Sequence, residues 1–305
     1  MARASHPMVT VIIPTHNRSL ELKRALQSVL QQQFTDFEVL VMDDASTENL
    51  EAVIEPLNDE RIQLHRNEQK TNANVMRNKG IQLARGAYVA LLDSDDEWLP
   101  DHLMKKTDLM TRENVDGIYG SSFIDNGVRR FYRVSRSMHE NEHPINYLLG
   151  SGFSQTSSWV LKTSAAKNIG FDETLHRHQD YDFFIRFAQA HSLYASWEPT
   201  SVIHWQKGVS RLTNFPSEQQ FIQRYHDVIE KRLLCNYYFE RFYSWKSANE
   251  LSVATYYSNR IKENATFISF NQYRQLFSNY KAAHFPFRLL GYMILIAKAA
   301  LAGKR

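Results

Sequence analysis

The sequence predicts an α/β protein: a mixed central sheet flanked by helices, with a helical C-terminal extension. Three observations predict it. Continuous apolar runs of strand length recur, helical periodicities separate them, and after about Asn214 the pattern changes to helical segments crowded with aromatics. Val9-Thr10-Val11-Ile12-Ile13 is a β-branched run closed by Pro14, as expected of a strand buried on both faces of a parallel sheet. Leu22, Ala25, Leu26, Val29 and Leu30 follow at helical spacing, with Ser19 positioned to cap them. Residues 37–42, 61–65 and 87–92 read as further strands, and 75–84 as a helix between the last two. Short strands are expected at 117–124, 158–162 and 193–197, which makes the second half of the sheet mixed. A boundary near Thr213 divides the α/β domain, 1–213, from a helical region, 214–305, that contains Tyr237, Tyr238, Phe239, Phe242, Tyr243 and Trp245.

With 305 residues, 43% hydrophobic and 23% charged, the chain can bury a large core and is not a disordered polyelectrolyte. A formal charge of +3 gives no ground for a nucleic-acid partner. The single cysteine, Cys235, allows neither an internal disulfide nor a cysteine zinc site and fits a reducing compartment. Residues 1–7 lack an apolar core of signal-peptide length, and no run reaches the roughly 18–20 apolar residues that span a bilayer. The expected location is the cytoplasm, or the cytoplasmic face of a membrane.

In an open parallel sheet, ligands bind beyond the carboxyl ends of the strands, so the polar residues directly after each apolar run are the candidates. Three places qualify: 14–18, Asp43-Asp44-Ala45-Ser46, and Asp93-Ser94-Asp95-Asp96. Three aspartates within four residues repel one another, a cost normally tolerated where a cation or hydrogen-bond donors neutralise them. Mg²⁺ or Mn²⁺ suits such a site, because these ions take one or two carboxylates and complete their shell with phosphate oxygens. Taken alone, the motif is also compatible with a solvated turn in which Ser94 or Asp96 caps a helix. Asp44 is placed to accept a hydrogen bond from a base imide or a ribose hydroxyl, and Arg77 to meet a nucleotide base or a phosphate; an N-cap and a surface ion pair are their plainer alternatives. Asp180, in Gln179-Asp180-Tyr181-Asp182 ahead of an aromatic helix, is either a dipole-stabilised helix start or a general base for an attacking hydroxyl.

Over Met8 to Ser210 the sequence resembles the family-2 glycosyltransferases of the GT-A fold (nucleotide-diphospho-sugar transferases), inverting enzymes of the kind that build bacterial surface polysaccharides. The resemblance rests on residues 11–18, 41–47, 77–88, 91–96 and 170–182, in the family's order and spacing. It implies that Pro14 and Asp44 line the nucleoside pocket, with Asp44 reading uracil, and that Arg77 helps hold the nucleotide. Asp95 matches the last aspartate of the family's Asp-x-Asp, the usual ligand of Mn²⁺ or Mg²⁺. Asp93 then contacts the ribose, or the metal through water, Asp96 the donor sugar, and Asp180 is the general base. His204 is the nearest match to a histidine that faces the diphosphate or the metal. The implied reaction moves a sugar from a nucleotide-sugar, of UDP type, to a saccharide or lipid-linked saccharide acceptor. The pattern departs in Gln179 for Glu, Ala45 for Gly and Glu48 for Asp.

Between Asn264 and the C-terminus there is no acid, while Arg274, Lys281, Arg288 and Lys298 flank the apolar stretch 289–297, which suits either peripheral contact with a membrane or packing as a terminal helix. Four rival readings stand at this level, of which a sugar nucleotidyltransferase expects a glycine-rich phosphate loop after the first strand, where residues 14–20 contain no glycine. A phosphatase of the aspartyl-phosphate type expects Thr or Val where Glu97 stands, and a metal-dependent hydrolase expects His where Tyr181 stands. A non-catalytic nucleotide-sugar-binding or scaffold protein is disfavoured by the presence of both Asp95 and Asp180.

Overall fold

The structure is a computed structural model in which residues 6–205 and 214–264 are described. In chain order the elements are β1 (Val9–Thr15), α1 (Ser19–Leu30), β2 (Phe37–Asp43), α2 (Glu51–Ile54), β3 (Ile62–Arg66), α3 (Ala73–Leu83), β4 (Tyr88–Leu91), β5 (Glu97–Trp98), α4 (His102–Arg112), β6 (Gly117–Gly120), β7 (Ser122–Asp125) and β8 (Arg130–Arg133). They continue with α5 (Pro144–Leu149), β9 (Val160–Lys162), α6 (Thr163–Ile169), α7 (Gln179–Ala190), β10 (Leu193–Ser196), β11 (Ser201–His204), α8 (Phe215–Tyr225), α9 (Lys231–Ser247) and α10 (Leu251–Glu263). The chain divides into two compact units: Met1–Val209 with Pro216–Phe221, and Ser210–Phe215 with Ile222–Arg305. Residues 216–221, assigned from sequence to the helical region, thus belong to the first unit.

A seven-stranded sheet in the order β10-β6-β9-β4-β1-β2-β3 organises the first unit. β1 pairs in parallel with β2 and β4, while β9 is antiparallel to both β4 and β6. Every residue of β1 and β2 is buried, which is why both are mostly apolar, and an exception within β2, Glu38, is satisfied by Thr10 Oγ1 and Arg85. Pro14 does not end β1 as expected; the strand continues to Thr15. Residue 12 faces β4, since its carbonyl accepts from Leu92 N, and residue 15 faces β2. Residue 14 therefore turns its nitrogen toward β4, whose pairing with β1 has already ended at Ile12–Leu91, so the missing N–H breaks no ladder bond.

Helix α3 lies directly on β1, and a Cβ at Gly80 would sit 2.6 Å from Ile12 Cγ2. Helix α1 starts at Ser19, whose side chain makes no capping bond. Instead the Glu48 carboxylate accepts from Ser19 N at 2.8 Å. That bond, with the Ser19 hydroxyl, holds the Glu48 pKa below its ordinary value. A second sheet, β5-β11-β7-β8, lies beyond the reach of the sequence reading. The stretch 117–124 is divided between the two sheets as β6 and β7: Ser121 N still donates to Ser196 O of β10 at 3.0 Å, and Ser122 is the first residue paired with β8 in the second sheet.

In the second unit, α9 and α10 meet through aromatic contacts such as Tyr238 on Tyr257, with ring centroids 6.1 Å apart. Among the described residues no helix is long and apolar enough to cross a membrane. The apolar stretch 289–297 lies outside the described residues.

Helix α4 buries Lys106 completely, with no hydrogen-bond partner for Nζ among the described residues. The absent side chain of Gly120 leaves room for it, since a Cβ there would lie 2.4 Å from Nζ. Burial pushes the Lys106 pKa down from 10.5 to about 7, with Glu198 opposing. The unfolded chain takes up its proton at the ordinary value and the folded chain only near 7. The folding penalty therefore grows as pH falls from about 10.5 to about 7 and is constant below. Lys106→Met is expected to stabilise the protein by about 2–4 kcal/mol at pH 7 and by less at pH 9.5, as read from urea unfolding. An equal gain at both pH values would show that the lysine titrates normally.

Candidate active site

The strand ends of β1, β2 and β4 open on one edge of the seven-stranded sheet, and their loops are tied to one another. Asn17 N donates to Ser46 Oγ at 2.9 Å, Thr47 N donates to Asn17 Oδ1 at 2.7 Å, and a His16 Nδ1 contact reaches Asp44 O at 2.8 Å. Asp43 is fully buried and pins this turn, accepting from Ser46 N at 2.9 Å and Ser46 Oγ at 2.5 Å and pairing with Arg66. Asp44 is turned the other way. Its Oδ1 accepts from Thr71 N and Thr71 Oγ1, both at 2.7 Å, while Oδ2 makes no hydrogen bond among the described residues. Beside it Thr15 Oγ1 is buried without a partner, and Pro14 lies buried in the strand just before. Asp44 is thus tied to the end of β1, its N–H donating to Thr15 O at 2.9 Å, next to an unsatisfied hydroxyl that the sequence reading did not single out.

Each aspartate after β4 has a different environment. The Asp93 carboxylate accepts from Arg77 Nη2 at 2.6 Å, and Arg77 is only 6% exposed, stacked 5.3 Å from the Phe171 ring. Arg77 Nε and Nη1 are buried without partners. Asp95 pairs through Oδ2 with Arg18 Nη1, and its carbonyl accepts from Arg24 Nη2. Asp95 Oδ1 is outside any hydrogen bond among the described residues. Asp96 is sunk into the protein, accepting from Ser157 Oγ at 2.5 Å and from His204 N at 3.0 Å. Burial, reinforced by the charges of Asp93 and Asp95, pushes the Asp96 pKa well up. Both Asp96 oxygens are committed to protein groups, so its observed role is to brace β11 and the 156–158 turn. The His204 ring is engaged by Glu97 Oε1 at 2.9 Å. Its backbone, not its imidazole, meets the aspartate cluster.

Asp180 lies in the first turn of α7, preceded by His178 at φ 61°, a left-handed conformation rare for a non-glycine residue. Burial raises the Asp180 pKa, while the charges of Arg177 and Arg77 and the Tyr181 N–H pull the other way. The neighbouring Asp182 is fully buried and paired with Arg186 at 2.8 Å, a structural use that separates the two acids. Helix α3 fixes the approach to α7. Asn74 Nδ2 donates to Asp172 O at 3.0 Å and Leu175 O at 2.7 Å, and Asn78 exchanges bonds with Phe171.

The Asp-x-Asp pattern implies a divalent cation, and the donor set allows one. Among the described residues no three His, Cys, Asp or Glu side chains form a ready cage, and His204 is not gathered with Asp93 and Asp95 into one. Mg²⁺ and Mn²⁺ do not require a cage, because substrate phosphates and water complete their shell. Asp95, with one oxygen open and its other partner a 42%-exposed arginine, fits that use. Asp93, locked to a buried guanidinium, fits a supporting one.

This arrangement of Asp-rich strand ends on a GT-A sheet is the frame of a known family. Residues 10–188, more than half of the chain, match the model for Glycosyl transferase family 2, and the chain belongs to that family. It is 37% identical over 189 residues to the amylovoran biosynthesis glycosyltransferase AmsB of Erwinia amylovora, covering 58% of this chain and 62% of that one. To the UDP-Glc:alpha-D-GlcNAc-diphosphoundecaprenol beta-1,3-glucosyltransferase WfgD of Escherichia coli it is 34% identical over 119 residues, covering 39% and 47%. The chain thus spans less than two thirds of the length of either relative. S. aureus TarS 1–349 in complex with UDP-GlcNAc shares the fold with a TM-score of 0.62 at 18% identity, over 87% of this chain and 80% of TarS.

The turn after β2 carries a local strain. Ala45 sits at φ 59°, where the family pattern has glycine. An L-residue in the left-handed region costs about 1–2 kcal/mol, and glycine loses about half of that gain through a freer unfolded chain. Ala45→Gly is therefore expected to stabilise by about 0.5–1 kcal/mol, a rise in Tm of about 1–2 °C in a thermal scan. A fall in Tm would show that the turn relaxes in solution.

Proposed function

We propose that the chain is a metal-assisted, inverting glycosyltransferase that moves a sugar from a UDP-sugar to a saccharide or lipid-linked saccharide acceptor of a surface glycan. One observation carries the reading. Asp44 and Asp95, each with an open oxygen on a strand-end loop, and Asp180 with a raised pKa in the first turn of α7 belong to one GT-A domain and support these roles. The relatives support the substrate class: WfgD is named for UDP-Glc and a diphosphoundecaprenol acceptor, and TarS was crystallised with UDP-GlcNAc. An acceptor of that kind would bring the protein to the cytoplasmic face of a membrane, with the C-terminal region as its contact.

In this reading Pro14 and Thr15 wall the nucleoside pocket, and the open Asp44 oxygen accepts from the uracil imide. A divalent cation held through Asp95 would supply charge neutralisation for the departing diphosphate. The acceptor hydroxyl gives its proton to the Asp180 carboxylate as its oxygen forms a bond to the anomeric carbon. The anomeric bond to the diphosphate breaks with its electron pair on the leaving group. Attack from the opposite face inverts the configuration.

Calorimetric titration with UDP, GDP and CDP, each with Mn²⁺ or EDTA, tests the donor site. UDP binding that requires both Mn²⁺ and Asp95, and disappears in Asp95→Ala, is the expected result. Asp180→Asn should retain that binding while losing about 10²–10⁴-fold in transfer. No nucleotide binding by folded protein would favour a scaffold role.

The pH dependence checks the base. Asp180 must be ionised to accept a proton, and burial raises its pKa, so kcat/KM should fall with acid through a pKa above the ordinary aspartate value of about 3.9. Arg177 favours the charged form, so Arg177→Gln should move this acid limb to higher pH. An unmoved limb would separate the titrating group from Asp180.

A further inference from the structure

We propose that Arg18 is an exchangeable counter-cation: it neutralises Asp95 in the metal-free protein, and when a divalent cation takes Asp95 it is released to the diphosphate of the donor. The inference rests on the reading of Asp95 as the metal residue and adds the coupling between metal and nucleotide binding.

The two ion pairs of the cluster differ in a way that assigns different uses. Arg77, 6% exposed, is held by burial, by Asp93 and by the Phe171 ring, and has nowhere to go. Arg18 is 42% exposed on the loop between β1 and α1 and can swing through solvent. Its departure leaves Asp95 in place, because the Asp95 carbonyl is held separately by Arg24, in the second turn of α1. The same loop is fixed to the nucleoside wall through the Asn17 bonds to Ser46 and Thr47. Arg18 therefore stands between the wall that takes the nucleoside and the carboxylate that takes the cation, where a bound diphosphate has to pass. A guanidinium without its carboxylate is a strong partner for phosphate oxygens. A partly exposed ion pair is weak, so a divalent cation can displace it.

The consequence is measurable without turnover. Free Mn²⁺ is followed by electron paramagnetic resonance in titrations of the full chain, with and without saturating UDP. Arg18→Gln removes the competitor, so Mn²⁺ alone should bind about two- to fivefold more tightly than to the wild type. With Mn²⁺ saturating, the same variant should bind UDP about tenfold more weakly, because the released guanidinium is missing. The enhancement of Mn²⁺ affinity by UDP should shrink accordingly. Arg18→Lys, which keeps the charge, should retain most of the competition with Mn²⁺, and circular dichroism confirms that the variants are folded. Unchanged or weaker Mn²⁺ binding by Arg18→Gln overturns the proposal, as does unchanged UDP affinity. Undiminished Mn²⁺ binding by Asp95→Ala would instead overturn the assignment of Asp95 on which it rests.

Discussion

Three aspartates crowded into four residues at the end of β4 are the constraint around which the site is arranged. Their mutual repulsion is offset three times over, and each time differently. Asp93 meets a buried arginine from α3, Asp95 an exposed arginine from the loop after β1, and Asp96 a serine hydroxyl and a backbone amide. A single kind of compensation would give three equivalent carboxylates. The three environments instead leave one carboxylate sunk in the protein, one locked in place and one available.

That division depends on parts of the fold far apart in sequence. Ser157 belongs to the turn before β9, the antiparallel strand inserted between β4 and β6, and His204 to the end of β11 in the second sheet. Asp96 thus joins the two sheets at the point where the chain leaves β4. Its burial explains why the second sheet begins there: β5 starts at Glu97, the next residue, and pairs at once with β11. The short strand is held less by its own two residues than by the carboxylate in front of it.

The fold was legible where local pattern suffices. Strands β1, β2 and β4 are mostly apolar on both faces because they have neighbours on both sides, and that leaves dense apolar runs in the sequence. The second sheet was not legible, because β5 has two residues, β8 is mostly exposed Arg-Phe-Tyr-Arg, and β5 finds its partner β11 about a hundred residues away. The same distinction holds at the site. Asp44, Asp95 and Asp180 follow from strand-end and helix-start logic together with the family resemblance. The partners that set their states do not: Arg18 reaches across 77 residues to Asp95, and Thr71 across 27 to Asp44. Arg18 lies within the motif of residues 11–18, but sequence spacing carries no signal for an ion pair made by tertiary folding.

Helix α3 shows how the remaining geometry is held. Its Gly80 lets it press onto β1, its Arg77 fixes Asp93, and its Asn74 and Asn78 fix residues 171–175, which lead into the turn that carries Asp180. One element thereby helps set the spacing between Asp93 and Asp180, the two acids that the proposed reaction places on opposite sides of the sugar. In-line displacement needs that spacing held to a fraction of an ångström, whereas the choice of acceptor needs only a surface that can vary. The stretch 126–142 is free to change without moving the site, because the bonds that hold Asp93 run through Arg77 of α3 and through Ser157 of the turn before β9, whose Oγ accepts from Asp93 N at 3.1 Å.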